Sequence, residues 1–163
     1  MIVKNESKII RRLFDSVINV IDSYCICDTG STDDTPAIIE AYFKEKGKPG
    51  KVIFEPFRDF GYNRSYSLLA CSGMANADYI LLMDADMILE TGPKYNWAEF
   101  KQGLLCADAH YVFQGSQTMS YKNVRIVKNG LGIKYWGVTH EVISTPPNSV
   151  YSAIEKSMLF IND

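Results

Sequence analysis

Between residues 7 and 21, Ile9, Ile10, Leu13, Phe14, Val17, Ile18 and Ile21 recur at helical spacing, with Arg11, Arg12 and Asp15 on the other face. The spacing predicts an amphipathic helix. A short strand at residues 1–4 precedes it and ends at Asn5-Glu6. Residues 23–28, Ser-Tyr-Cys-Ile-Cys-Asp, read as a second strand. A loop rich in capping residues follows, Thr29 to Thr35, with Pro36 placed for a first helical turn. That helix is expected to run to about Lys46 and to stop at Gly47-Lys48-Pro49-Gly50. Residues 51–55 form a third strand, 56–64 a polar and aromatic loop, and a helix continues to about Cys71. A fourth strand is expected at 79–83, then a linking segment with Gly92-Pro93, then a helix at 97–106. The alternation predicts an α/β fold with a mostly parallel central sheet flanked by helices. After His110 the texture changes to short strands at 111–114, 124–127, 133–138 and 141–144, with one more at 153–161. This smaller β-rich part is expected to be antiparallel or mixed.

One stretch stands out, Tyr79-Ile-Leu-Leu-Met-Asp84-Ala85-Asp86-Met-Ile-Leu89. An apolar run of this kind suits a strand buried on both faces. It ends in two carboxylates at i and i+2, which point the same way on extended chain. Side by side they repel unless a cation sits with them, and hard oxygen ligands suit Mg²⁺ or Mn²⁺. In open α/β sheets ligands gather at the carboxyl ends of the strands. Those ends here are Asn5 and Glu6, Asp28, and Asp84 with Asp86, while the third strand feeds the loop carrying Arg58, Asp59 and Arg64. Acids that accept from base and ribose donors, beside a cation and an arginine for phosphates, fit a nucleoside diphosphate. No Gly-x-Gly-x-x-Gly follows the first strand and no Gly-x-x-x-x-Gly-Lys-Ser/Thr occurs, which disfavours a dinucleotide fold and a P-loop. A nucleotidyltransferase would show a basic Gly-rich loop after the first strand, and Lys4-Asn5-Glu6-Ser7 is not one.

Composition narrows the picture. The 163 residues suit one domain, and 47% hydrophobic with 22% charged content suits a globular core. The formal charge of −2, without a basic run, argues against nucleic acid as a partner. No apolar stretch approaches the roughly 18–20 residues that span a bilayer, and Met1 to Glu6 carries no apolar leader core. Cys25, Cys27, Cys71 and Cys106 form no Cys-x-x-Cys pair. They read as reduced core residues of a cytoplasmic protein, with no zinc site.

Met1-Ile-Val-Lys-Asn-Glu6, Asp28-Thr-Gly-Ser-Thr-Asp-Asp34-Thr, Phe57-Arg-Asp-Phe60 with Asn63-Arg64, and Leu82-Met-Asp-Ala-Asp86 occur in one order. Together they resemble family 2 glycosyltransferases of the GT-A fold, in pattern the lipooligosaccharide glucosyltransferase-like subgroup. The resemblance covers residues 1–90 and resumes at Tyr135-Trp-Gly-Val-Thr-His-Glu141. It implies a single GT-A domain over 1–163, with a nucleotide-binding half at about 1–107 and an acceptor-side half at about 108–163 that is shortened relative to the family. It implies an enzyme that moves a sugar from a nucleotide sugar, usually a UDP-sugar, to a hydroxyl of a glycan or glycoprotein, with inversion and metal dependence. A donor-binding module without transfer activity, part of a larger chain, is the alternative.

By the same resemblance Val3, Asn5 and Glu6 line the nucleoside pocket and Asp28 reads the uracil or ribose. Arg64 binds near the base or phosphates. Asp84 contacts ribose or metal, with Ala85 beside it in the Asp-x-Asp motif, and Asp86 holds the metal. His140 would complete the coordination, and an imidazole ligand favours Mn²⁺ over Mg²⁺. Glu141 is the candidate base for the acceptor hydroxyl, with Asp108 as a second candidate.

Overall fold

The computed structural model describes residues 1–74, 77–116, 118–138 and 141–163. Strands β1 (Ile2–Val3), β2 (Tyr24–Asp28) and β3 (Gly50–Phe54) alternate with helices α1 (Ile10–Val17), α2 (Thr35–Glu45) and α3 (Phe60–Ser72), as the pattern predicts. The three strands form one parallel sheet in the order β1-β2-β3, with Ile2 opposite Cys27 and Cys25 opposite Lys51.

The second sheet corrects the expectation of a mostly parallel centre. Its strands are β4 (Tyr79–Leu81), β5 (Ile88–Thr91), β6 (Ala109–Gly115), β7 (Ser120–Lys128), β10 (Tyr151–Ala153) and β11 (Leu159–Asn162). Their order is β4-β7-β6-β11-β5, and β10 also pairs with β6. β4–β7, β6–β7 and β11–β5 are antiparallel, whereas β10 and β11 both run parallel to β6. The cause is local. A short reversal joins β6 to β7 and makes a hairpin, which can only be antiparallel. β4 then pairs with β7, a strand of the later half. β5 falls in the stretch expected to be a linker; its partner β11 lies some 70 residues on, with Leu89 opposite Ile161. Helix α4 (Trp97–Leu104) and the small hairpin β8 (Lys134–Trp136) with β9 (Val142–Ser144) complete the chain.

Among the described residues no ladder joins the two sheets. Helix α1 bridges them. Its Ile10, Leu13, Phe14 and Val17 belong to one buried cluster with Val3 and Ile26 of the first sheet and Leu89, Ile126 and Ile161 of the second. Phe14 packs against Phe43 and Tyr42 at ring distances of 4.7 and 5.2 Å. Polar contacts add to the bridge: the Leu89 amide donates to Ser16 Oγ at 3.0 Å, and Arg12 donates to the Asp86 carbonyl at 2.9 Å. A cavity of about 420 Å³ runs along this seam, walled by Phe14, Tyr24, Cys25, Tyr79, Leu81 and Leu104. Among the described residues no helix is long and apolar enough to cross a membrane.

Candidate functional site

The carboxyl end of β2 shapes the first wall of the cleft. Asp28 is buried, and its Oδ1 accepts from the amides of Gly30 and Ser31, both at 2.9 Å. This turn needs φ +112° at position 30, which glycine adopts without steric cost. The other oxygen, Oδ2, is buried and has no partner among the described residues. Asn5, in the left-handed region at φ 57°, accepts from the Thr32 amide at 2.8 Å and so locks the end of β1 onto the same loop. The Glu6 amide donates to Thr35 Oγ1 at 2.8 Å, and Asp33 accepts from Thr35 and from the Ser7 amide. Val3 is 3% exposed, in the core; its carbonyl accepts from the Thr29 amide and hydroxyl. Its side chain belongs to the buried cluster beneath the strand ends.

The second wall is an ion quartet. Arg64, in the first turns of α3, places Nη1 2.6 Å from Asp84 Oδ1 and Nε 3.9 Å from Glu141 Oε1. Its guanidinium lies over the Tyr135 ring, 5.8 Å from the centroid. Asp84 Oδ2 faces Nη1 of Arg125 at 3.4 Å. Burial opposes the charge of Asp84, but Arg64 and Arg125 hold its carboxyl below the usual range. Burial likewise opposes the charge of Arg64, and Asp84 more than offsets it, so its pKa is raised. Burial pushes the Tyr135 hydroxyl up to about 12. Asp84 is thus bound by two cations of the protein itself.

Asp86 is exposed, and its carboxylate makes no hydrogen bond or ion pair among the described residues. Glu6 lies near it. Burial, then the charges of Asp86 and Asp33, raise the Glu6 carboxyl above its ordinary value. Among the described residues no three His, Cys, Asp or Glu side chains converge on a cation position. A free carboxylate at the cleft mouth still suits a hard cation completed by ligand phosphates, the way Mg²⁺ is commonly held. His140 lies outside the described residues. Ala85 is buried beneath the two acids. Asp108 sits at the far rim, before β6, where it accepts from the Val150 amide at 3.0 Å and faces Lys128. That place is remote from the cleft.

Three side chains to which the sequence pattern assigns no role hold the site in shape. Asn63 is 0% exposed; it accepts from the Arg58 amide and donates to the Glu55 and Pro56 carbonyls, pinning the loop before Arg64. Ser67 bonds the Met1 carbonyl at 3.1 Å and so ties α3 to β1. With Cys71 these form an i, i+4 stripe on the buried face of α3, a signal hidden because the stripe is polar. Arg125, in the apolar run of β7, is the third. Gly61 brings α3 against the loop after β8: a Cβ there would collide with the Gly137 carbonyl. Gly61→Ala is expected to cost about 1–3 kcal/mol through overpacking, read as a lower urea midpoint. An unchanged midpoint would mean that the loop yields freely.

Fold and cleft together define an α/β protein whose polar site lies at the carboxyl ends of β1, β2 and β4. The profile described as Glycosyl transferase family 2 matches residues 1–135, and the chain belongs to that family. A TPR repeat-containing protein of Synechococcus elongatus is 30% identical over 152 residues, 88% of this chain and 34% of that protein. An uncharacterized glycosyltransferase of Rickettsia felis is 36% identical over 86 residues, 53% of this chain and 27% of that protein. The crystal structure of S. aureus TarS 1-349 matches with a TM-score of 0.64 at 15% identity, covering 98% of this chain and 58% of that one. TarS 1-349 in complex with UDP-GlcNAc matches with a TM-score of 0.50 at 21% identity, over 75% of this chain and 36% of that one. These structural likenesses support the GT-A fold implied by the sequence. The chain spans about a third or less of these curated relatives' length.

Proposed function

We propose that this chain is the nucleotide-sugar domain of a glycosyltransferase that moves a sugar from a UDP-sugar to a glycan or glycoprotein hydroxyl with inversion. The observation that carries this reading is the buried Oδ2 of Asp28, an acceptor with no partner among the described residues in a family 2 chain. A buried carboxylate oxygen calls for a donor, and the uracil imide or ribose hydroxyls supply one. The structure of TarS with UDP-GlcNAc supports the choice of donor. In this reading residues 1–107 bind the nucleotide, residues 108–163 face the acceptor, and the subgroup is the lipooligosaccharide glucosyltransferase-like one. The free thiols suit a cytoplasmic setting.

Asn5 and Glu6 border the nucleoside and Arg64 meets the diphosphate. Asp86, with His140 and the phosphate oxygens, would hold Mn²⁺ in preference to Mg²⁺. Such an ion supplies Lewis-acid stabilisation of the leaving diphosphate. Glu141 takes the proton of the acceptor hydroxyl. A second reading, donor binding without transfer, is favoured by one contact: Glu141 faces Arg64 rather than standing free of any cation. Release of UDP from a UDP-sugar, with or without acceptor, separates the two.

Thermal unfolding tests the shared core of both readings. A ligand at a hundred times its Kd adds about 2.7 kcal/mol, which for a domain of this size raises Tm by roughly 5–10 °C. UDP-sugars are expected to produce this shift and Mn²⁺ to enlarge it. The Asp86→Ala variant is expected to keep the nucleotide shift and lose the Mn²⁺ increment. No shift with any nucleotide sugar would overturn the donor site; an intact Mn²⁺ increment in the variant would remove Asp86 from the metal.

A further inference from the structure

We propose that Arg125 is a positioning residue: it is the fixed counter-charge of Asp84 that lets Arg64 leave Asp84 for the donor's diphosphate. The inference rests on the donor site proposed above and assigns a role to a residue that does not itself touch the ligand.

The two arginines on Asp84 differ in how firmly they are held. The Arg125 side chain is 9% exposed, on β7 between β4 and β6. Its Nε donates to Gln114 Oε1 at 2.6 Å, and its Nη1 lies 3.5 Å from the Leu82 carbonyl and 3.4 Å from Asp84 Oδ2. Gln114 is itself 1% exposed and donates to the Tyr121 hydroxyl and to Asp163. Gln114 on β6 and Tyr121 on β7 tie Arg125 into the sheet, and Asp163 follows directly on β11. Arg64 stands at the cleft. Among the described residues its one short contact is the Nη1 bond to Asp84 Oδ1, and its buried Nε has no hydrogen-bond partner there. Arg64 is the cation built to move and Arg125 the one built to stay.

The charges explain why both are needed. Arg64 and Arg125 against Asp84 and Glu141 make a neutral quartet, so a diphosphate can draw on the charge of Arg64 only in competition with Asp84. The diphosphate gains most of that charge when Arg64 turns from Asp84 toward it. Each oxygen of Asp84 has its own arginine, so Oδ2 keeps Arg125 when Oδ1 is released. Without Arg125, releasing Arg64 would strand a largely buried carboxylate, which is strongly unfavourable. Arg64 would then stay locked on Asp84, and the phosphates would lose their partner. The nucleoside, held at Asp28 on the other wall, would not be affected.

Calorimetric titration with uridine and with UDP measures this directly, because the ratio of the two affinities isolates the phosphates. Arg125→Met is expected to weaken UDP binding on the order of tenfold or more while uridine binding holds. Arg125→Lys is expected to recover most of the loss. Gln114→Met, which removes only the Nε anchor, is expected to shift the ratio the same way by less, and it serves if Arg125→Met does not fold. A purely structural role would lower both affinities together. An unchanged UDP-to-uridine ratio in Arg125→Met, or in Gln114→Met where Arg125→Met does not fold, overturns the inference while leaving the donor site intact. A wild-type chain that binds neither ligand overturns the donor site and this inference with it.

Discussion

Asp28→Asn is expected to lower UDP affinity roughly 10- to 100-fold, since a hydrogen bond to a charged group contributes about 1.5–3 kcal/mol. The substitution is chosen because the two oxygens have separate tasks. Oδ1 holds the turn through the Gly30 and Ser31 amides, and an Asn carbonyl can take over that task. The amide nitrogen then occupies the place of Oδ2 and offers a donor where the ligand also brings a donor. Loop and fold survive while the contact is lost. Calorimetry with UDP reads the result, and circular dichroism checks the fold. Undiminished affinity in a folded variant would remove Asp28 from nucleoside recognition.

Phe14→Ala is expected to have the largest effect on stability, about 3–5 kcal/mol. Phe14 is 1% exposed, packs at a tilt against two aromatic rings of α2, and walls the seam cavity. Truncation enlarges a space that already exists, so little collapse can offset the lost contacts. At about 2–4 °C per kcal/mol, Tm should fall by roughly 6–20 °C. Domains have total stabilities of about 5–15 kcal/mol, so the variant stands near the limit of folding. Scanning calorimetry is the measurement; a drop of only a degree or two would show that α1 can repack across the seam.

The first half of the fold was legible because its information is local. Helical spacing marks α1, the apolar run marks β2, and the Asp-Thr-Pro cap marks α2. β5 was missed because Ile88 to Thr91 becomes a strand only through β11, and the short run carries no signal of that partner. The mixed second sheet has the same origin, since which strand lies beside β4 is decided by tertiary packing. At the site, Asn5, Glu6, Asp28, Arg64, Asp84 and Asp86 do gather at one rim, as strand-end logic requires. That logic did not reveal that Asp84 would be taken by two arginines. Arg125 was visible as a charge inside the run Val124-Arg-Ile-Val127, where a buried cation demands an anion. Asp84 was the anion, 41 residues away.

The seam between the sheets gives the cleft a mechanical character. Cys27 donates to the Met1 carbonyl, and strand alternation turns the Cys25 amide toward the same edge, beyond the start of β1. Just past β4, the Leu82 amide donates to the Arg125 carbonyl, so the Leu81 amide turns to the opposite edge, where no described strand lies. Asp28 ends a strand of one sheet, while Arg125 lies in the other and Asp84 on the loop that leaves its β4. A molecule that touches both walls is therefore a rivet across two plates that, among the described residues, share side-chain packing but no backbone ladder. Its tightness depends on the stiffness of the joint as much as on its own contacts, and amide exchange at Cys25 and Leu81 would slow as the plates are drawn together.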